Sequence, residues 1–166
     1  MAMEIFFRLD GITGAVTNYA YKEWAAIKSW HWGMARATRN QGGSKVETVS
    51  MNRISIIKPV GIESPMLMTL FAERKIVPSA EIRVAPPAVK RGAQLKFMDI
   101  ALENVLVQSL ETGAAANDEE ILETVVIAFA KARYEFFHNT AAIQGGAAAS
   151  TKSQVFNWSA DTPKTA

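Results

Sequence analysis

Apolar residues recur at every second position through most of this chain, the spacing of half-buried strands. Over residues 3–9, Ile5, Phe7 and Leu9 share one face, and Glu4, Phe6 and Arg8 share the other. Residues 23–33 carry Trp24, Ile27, Trp30 and Trp32, with a slip of phase between Ile27 and Trp30 that predicts a bulge. Residues 34–44 are polar, hold Gly42-Gly43, and read as a long exposed loop. Residues 45–58 read as one strand with Ile54 and Ile56 inward. The same alternation places Ile82 and Val84 inward and Glu81 and Arg83 outward over 79–85, with Pro86-Pro87 ending the run. Long strands follow at 95–109 and 121–137, separated by a small acidic turn from Gly113 to Glu120. In the second of these, Val125, Ile127 and Phe129 share one parity, whereas Tyr134 and Phe136 sit on the other, which again predicts a bulge. A loop at 139–152 and a last short strand at 154–159, around Phe156 and Trp158, complete the pattern.

The period changes only once. Ser64 is placed to cap a helix, Pro65 to occupy its first position, and Met66 to Arg74 contains neither Gly nor Pro. Leu67, Leu70 and Phe71 would face the sheet. About seven strands and one short helix predict an all-β sandwich or barrel. Residues 1–160 read as a single domain and 161–166 as a disordered tail.

Composition narrows the function. A length of 166 residues with 49% hydrophobic content supports one packed core. Eighteen Lys and Arg against sixteen Asp and Glu, a net +2, give no concentrated basic footprint for nucleic acid. There is no cysteine, which excludes disulfides, thiol catalysis and Cys-based metal sites. The N-terminus lacks the basic and long apolar regions of a signal peptide, and no apolar run approaches the roughly 20 residues of a spanning helix. The expectation is a protein folded in the cytosol, without membrane insertion.

Few residues suggest chemistry. His31 and His138 have no metal-ligand spacing and read as isolated histidines on strands. Gly11-Ile12-Thr13-Gly14 reads as a β-turn rather than a nucleotide loop. Glu119, Glu120 and Glu123 flank a loop and read as solvated. No nucleophile, base and orienting group can be assembled by spacing, so neither an enzyme nor a cofactor is expected. Trp30 and Trp32 point to one face and are expected to anchor the core. His31 and Ser29 must then face outward.

Five segments carry a resemblance. Ile27-Lys28-Ser29-Trp30-His31-Trp32-Gly33 is the first, and Ile54-Ser55-Ile56-Ile57-Lys58 with Ser64-Pro65-x-Leu67 the second. The others are Leu102 to Ser109, Glu123 to Lys131 closed by Phe136, and Phe156-Asn157-Trp158. In this order, from about Met3 to Ser159, they resemble the haemolysin-coregulated protein family. The resemblance implies a compact β-barrel of two curved antiparallel sheets with one short flanking α-helix. It implies a hexameric ring, rings stacked head to tail as the inner tube of a type VI secretion system, a contractile sheath around the tube and a spike upon it. Small secreted effectors would ride inside. Ser29 and His31 would line the channel and face the effector. Arg36 and Arg39, with Lys45 just beyond, would form an inter-ring loop reaching acidic groups such as Asp118 to Glu120 on the next ring. Two departures from the family pattern stand out: the 34–44 loop is shorter and more basic than in some relatives, and His31 replaces a small polar residue. Two further readings share the architecture. One is the tail-tube protein of a contractile phage-like particle. The other is a monomeric barrel binding a small apolar ligand, against which the large aromatics argue because they would fill the interior.

Overall fold

A computed structural model describes residues 3–17, 21–86, 97–139 and 151–160. Among them the chain forms eleven strands and one helix. In chain order these are β1 Glu4–Leu9, β2 Ala25–Ile27, β3 Ser29–His31, β4 Met34–Gln41, β5 Ser44–Met51, β6 Ile54–Pro59, α1 Ser64–Glu73, β7 Val77–Ala85, β8 Met98–Gly113, β9 Leu122–Ala128, β10 Lys131–Asn139 and β11 Thr151–Ser159. The count exceeds seven because several runs bend and break. The stretch expected as one strand at 45–58 divides at Asn52-Arg53 into β5 and β6. The tail at 161–166 and the residues 140–150 lie outside the described part.

All described pairings are antiparallel, and their order is β2–β1–β7–β8–β9–β6–β3. Strands β2 and β3 are separated by Lys28 alone, whose N–H donates to Ile57 O. The path therefore begins and ends on one stretch of chain, and the sheet closes into a barrel. The expected slip between Ile27 and Trp30 is this break. Strand β8 is shared by both walls. Its first half pairs with β7 and β10, its second half with β9. Between the halves Asn104 takes a positive φ of 53°, a conformation Asn tolerates better than most residues. A register shift between Val107 and Ser109 adds to the bend. The partner strand breaks at the same level, where Phe129 and Ala130 separate β9 from β10, so both long strands turn the corner together. We refer to β2, β1, β7, the first half of β8, β10 and β11 as sheet I, and to the second half of β8, β9, β6 and β3 as sheet II.

The interior is filled. Ile54, Ile56, Ile82, Ile100, Val105, Val125 and Ile127 have no exposed surface, and Trp30, Trp32, Phe129, Tyr134 and Trp158 pack around them. Phe129 meets both Trp32 and Trp158 edge to face at 5.7 Å. A small void of about 10 Å³ by Leu9 and Leu67 could barely hold one water. A second cluster, Phe6, Tyr21, Trp24 and Ala85, covers the outside of sheet I, with Arg83 lying 5.0 Å from the Trp24 ring.

The helix differs from its expected form in two respects. Glu63, not Ser64, is the N-cap, and no side chain caps the helix. Leu67 is fully buried and Leu70 half-buried, but Phe71 remains 45% exposed. The helix therefore seats on the barrel by a narrower face than its spacing suggests. It ends at Arg74, whose φ of 52° lies in the left-handed region.

Candidate functional site

The outer face of sheet II follows from parity. Trp30 pairs with the fully buried Ile56, so its neighbours Ser29 and His31 point outward, and both are exposed. Register then sets two rows across the sheet. One runs Ser29, Ile57, Thr124, Glu111; the other runs His31, Ser55, Val126, Ser109. Residues directly opposite each other share a face. The result is an outer face of four hydroxyl side chains and the aliphatic Ile57 and Val126 around one imidazole and one carboxylate.

At one end of sheet II the chain leaves the barrel as β4 and returns as β5. The expected loop at 34–44 is in fact most of a regular hairpin. Arg36 and Arg39 lie on β4, and Lys45 lies on β5. Gly42 and Gly43, with φ of 60° and 86°, form the two-residue turn between Gln41 and Ser44. Every residue of β4 is exposed and only Met51 of β5 is partly covered, so no apolar alternation marked β4, and β5 was expected only as the first part of a strand over 45–58. Arg36 reaches Glu47 at 3.6 Å on the solvated surface.

The acidic turn occupies the opposite end. Strand β6 begins at Ile54 beside the hairpin and finishes at Pro59, which pairs with Leu122 at the start of β9. The turn before Leu122 holds Asp118, Glu119 and Glu120, all exposed. Asp118 Oδ2 accepts from Ala115 N–H at 2.6 Å, which orders the turn locally. Glu120 is engaged within the chain by Lys28 at 2.8 Å. That leaves Asp118 and Glu119 as the turn's outward charges, in no ion pair among the described residues.

Glu123 corrects the expectation of a solvated carboxylate. It is 1% exposed, and its Oε1 accepts from Lys58 Nζ at 2.6 Å and from Ser64 Oγ at 2.7 Å. Lys58, with no exposed surface, also contacts Glu63 Oε1 at 2.6 Å and donates to Pro59 O at 2.7 Å. One ammonium thus joins β6, β9 and the start of α1. Ser64 Oγ, freed from capping, accepts from Gly61 N–H at 2.9 Å. A side chain at Gly61 would begin 2.6 Å from the Glu63 carboxylate, which would then have to shift. Burying such ions is tolerable only when they are paired and hydrogen-bonded. The sequence signal was present: Lys58 and Glu123 sit at inward parity beside Ile56 and Val125.

The profile of the family described as "Type VI secretion system effector, Hcp" matches residues 6–136. This chain belongs to the Hcp family. The Hcp1 protein of Pseudomonas aeruginosa is 24% identical over 138 residues, covering 82% of this chain and 84% of that protein. Among solved structures, one described as a type six secretion system protein superposes with a TM-score of 0.78 at 20% identity, covering 95% of this chain and 96% of the other. Hcp1 from Salmonella typhimurium gives 0.73 at 20% identity, with 96% of each chain covered. A type VI secretion system effector from Yersinia pestis gives 0.65 at 17% identity, covering 93% and 99%. The barrel with one flanking helix is thus the Hcp fold, and the chain is a type VI secretion protein.

Within that frame, the predicted residues fall into two separate places. Ser29 and His31 share the outer face of sheet II, whereas Arg36, Arg39 and Lys45 stand on the hairpin beyond its end. Among the described residues no group of His, Asp and Glu is arranged to hold a metal ion, and no helix is long and apolar enough to cross a membrane.

Proposed function

We propose that this Hcp-family chain is the subunit of the inner tube of a type VI secretion machine, acting as a structural and carrier protein rather than a catalyst. Subunits close into a hexameric ring, rings stack head to tail, and contraction of a surrounding sheath expels the tube behind its spike. The subunit would wait in the cytosol and leave without a signal peptide. The observation that carries this reading is the polarity of sheet II. A basic hairpin with Arg36, Arg39 and Lys45 projects from one end, and an acidic turn with Asp118 and Glu119 closes the other. A subunit with complementary ends associates head to tail, and such contacts close into rings or continue into tubes. Charges of this exposed kind tune orientation and partner choice more than affinity.

The face with Ser29 and His31 is the surface we assign to the channel. Its mostly short side chains would leave room for a passenger protein. The filled interior supports this over a monomeric barrel holding an apolar ligand, because such a ligand would have no space. Negative-stain electron microscopy of the purified protein tests the whole proposal. Annular particles and their stacks are expected; single subunits at high concentration would refute it. Replacing His31 by a bulky residue such as Trp should leave rings intact while reducing co-purification of a channel-borne effector.

A further inference from the structure

The outer wall of sheet I is a lattice of charges. Parity sets this, since Ile82, Ile100 and Ala132 are buried and their neighbours along each strand point outward. Register arranges those neighbours in rows. One runs Arg8, Glu81, Ala101, Arg133; the next runs Phe6, Arg83, Asp99, Glu135. Ala101 is the one short side chain in the first row. Over it opens a cavity of about 240 Å³, flanked by Glu81 on β7 and Arg133 on β10 and lined also by Arg83, Asp99, Glu135 and Phe137. Its two flanks stand two strand spacings apart, about 10 Å. The space far exceeds the roughly 10–15 Å³ that one water needs.

The charges around the cavity are not equivalent. Arg83 is committed: its Nε and Nη2 donate to Asp99 at 2.6 and 3.1 Å, and its guanidinium lies 5.0 Å from the Trp24 ring. Glu135 is held in place, with a side chain only 12% exposed. Its partner Arg133, at 3.0 Å on the same strand, is 53% exposed. Glu81 is loosely paired with Arg8 at 3.3 Å across solvent. Three carboxylates and two guanidiniums line the cavity, a net of one negative charge. An anion would meet the carboxylates. Among the described residues no set of carboxylates is placed to hold a metal ion. A planar cation with several N–H donors would find acceptors in Glu135 and Glu81 and an aromatic wall in Phe137. Arg133 is an internal example of that chemistry, a guanidinium already paired with Glu135.

We propose that the cavity over Ala101 binds a guanidinium group, which takes the place of Arg133 on Glu135. This wall lies opposite the one with Ser29 and His31, so the site stands or falls apart from the channel assignment. Calorimetric titration of the purified protein with ethylguanidinium, and with a neutral-capped arginine peptide, should give saturable binding at millimolar concentration. Tighter binding of the peptide would point to a protein as the source, and binding of ethylguanidinium alone to a free small cation. Ala101→Leu, which fills the cavity, and Glu135→Gln, which removes the acceptor charge, should each weaken binding roughly tenfold. The melting temperature of each variant checks that it is folded. Arg133→Ala removes the competing guanidinium and should tighten binding several-fold, since a half-exposed ion pair is worth little and is displaced at small cost. Loss of binding in Arg133→Ala would mark an anion site and overturn the proposal. So would equal binding of tetramethylammonium, which has no N–H to donate, or the absence of saturable binding to the parent protein.

Discussion

Sheet II ends in two charged regions that behave in opposite ways. At the Lys58 end, an ammonium with no exposed surface is held by two carboxylates, a hydroxyl and a carbonyl on three elements. At the hairpin end, Arg36 and Glu47 face each other across solvent, with side chains 69% and 59% exposed. Both are Lys or Arg with Glu on adjacent strands. Burial makes the first a determinant of the subunit's own fold. Solvation leaves the second free to serve another molecule. The contrast teaches that charge along a strand reports on stability or on association according to what covers it, not according to which residues supply it.

The largest test of this contrast is Lys58→Met. Removing the ammonium strands two buried carboxylates, and the loss should be about 3–5 kcal/mol, read from denaturant unfolding. Adding Glu63→Gln and Glu123→Gln should return much of it, since the uncompensated charge disappears; no recovery would show that the cluster acts through more than charge. Next, Leu67→Ala removes the fully buried apolar side chain by which α1 grips the barrel, and should cost about 3 kcal/mol by the same measurement. Gly61→Ala crowds the Glu63 carboxylate, whose flexible chain can shift, so about 1–3 kcal/mol is expected. At the hairpin, Arg36→Ala should not move the subunit's melting temperature at all. A drop there would erase the distinction between the two ends.

The smallest effect concerns neither end and sets the scale for both. Burial raises the Tyr21 phenol above its ordinary value of 10.0, against a lowering contribution from Arg83. A folded-state value above the unfolded one means the folded state holds the proton more tightly. Stability from this source is therefore complete below about pH 10 and is lost as pH rises through the raised value. Tyr21→Phe should flatten the fall in stability at alkaline pH, visible as a weaker pH dependence of melting.

The path from sequence to these regions was uneven, for physical reasons. Alternation located β1, β6, β7 and the long β8 and β9 because one face of each meets a dry core, and Ile56, Ile82 and Ile127 mark it. The same alternation placed Trp30 inward and hence Ser29 and His31 outward. The first strand of the hairpin, β4, left no such trace, since every residue of it is exposed, while β5 was read only as the start of one longer strand and Gly42-Gly43 hinted at the turn. Ser64 looked like a helix cap because local signals favour that role, yet its hydroxyl serves Glu123, 59 residues away.

By itself, then, the sequence determined the β-rich class, the core parity, the helix position and the membership in a recognisable family. These depend on local propensity and on which side chains leave water, both of which are written residue by residue. Only the tertiary structure decided that β2 and β3 close the barrel, that Lys58 and Glu123 meet in its wall, and that basic and acidic ends oppose each other along one sheet. Those facts depend on strands far apart in the chain finding a common register, and the energy of such pairings belongs to the pair rather than to either segment.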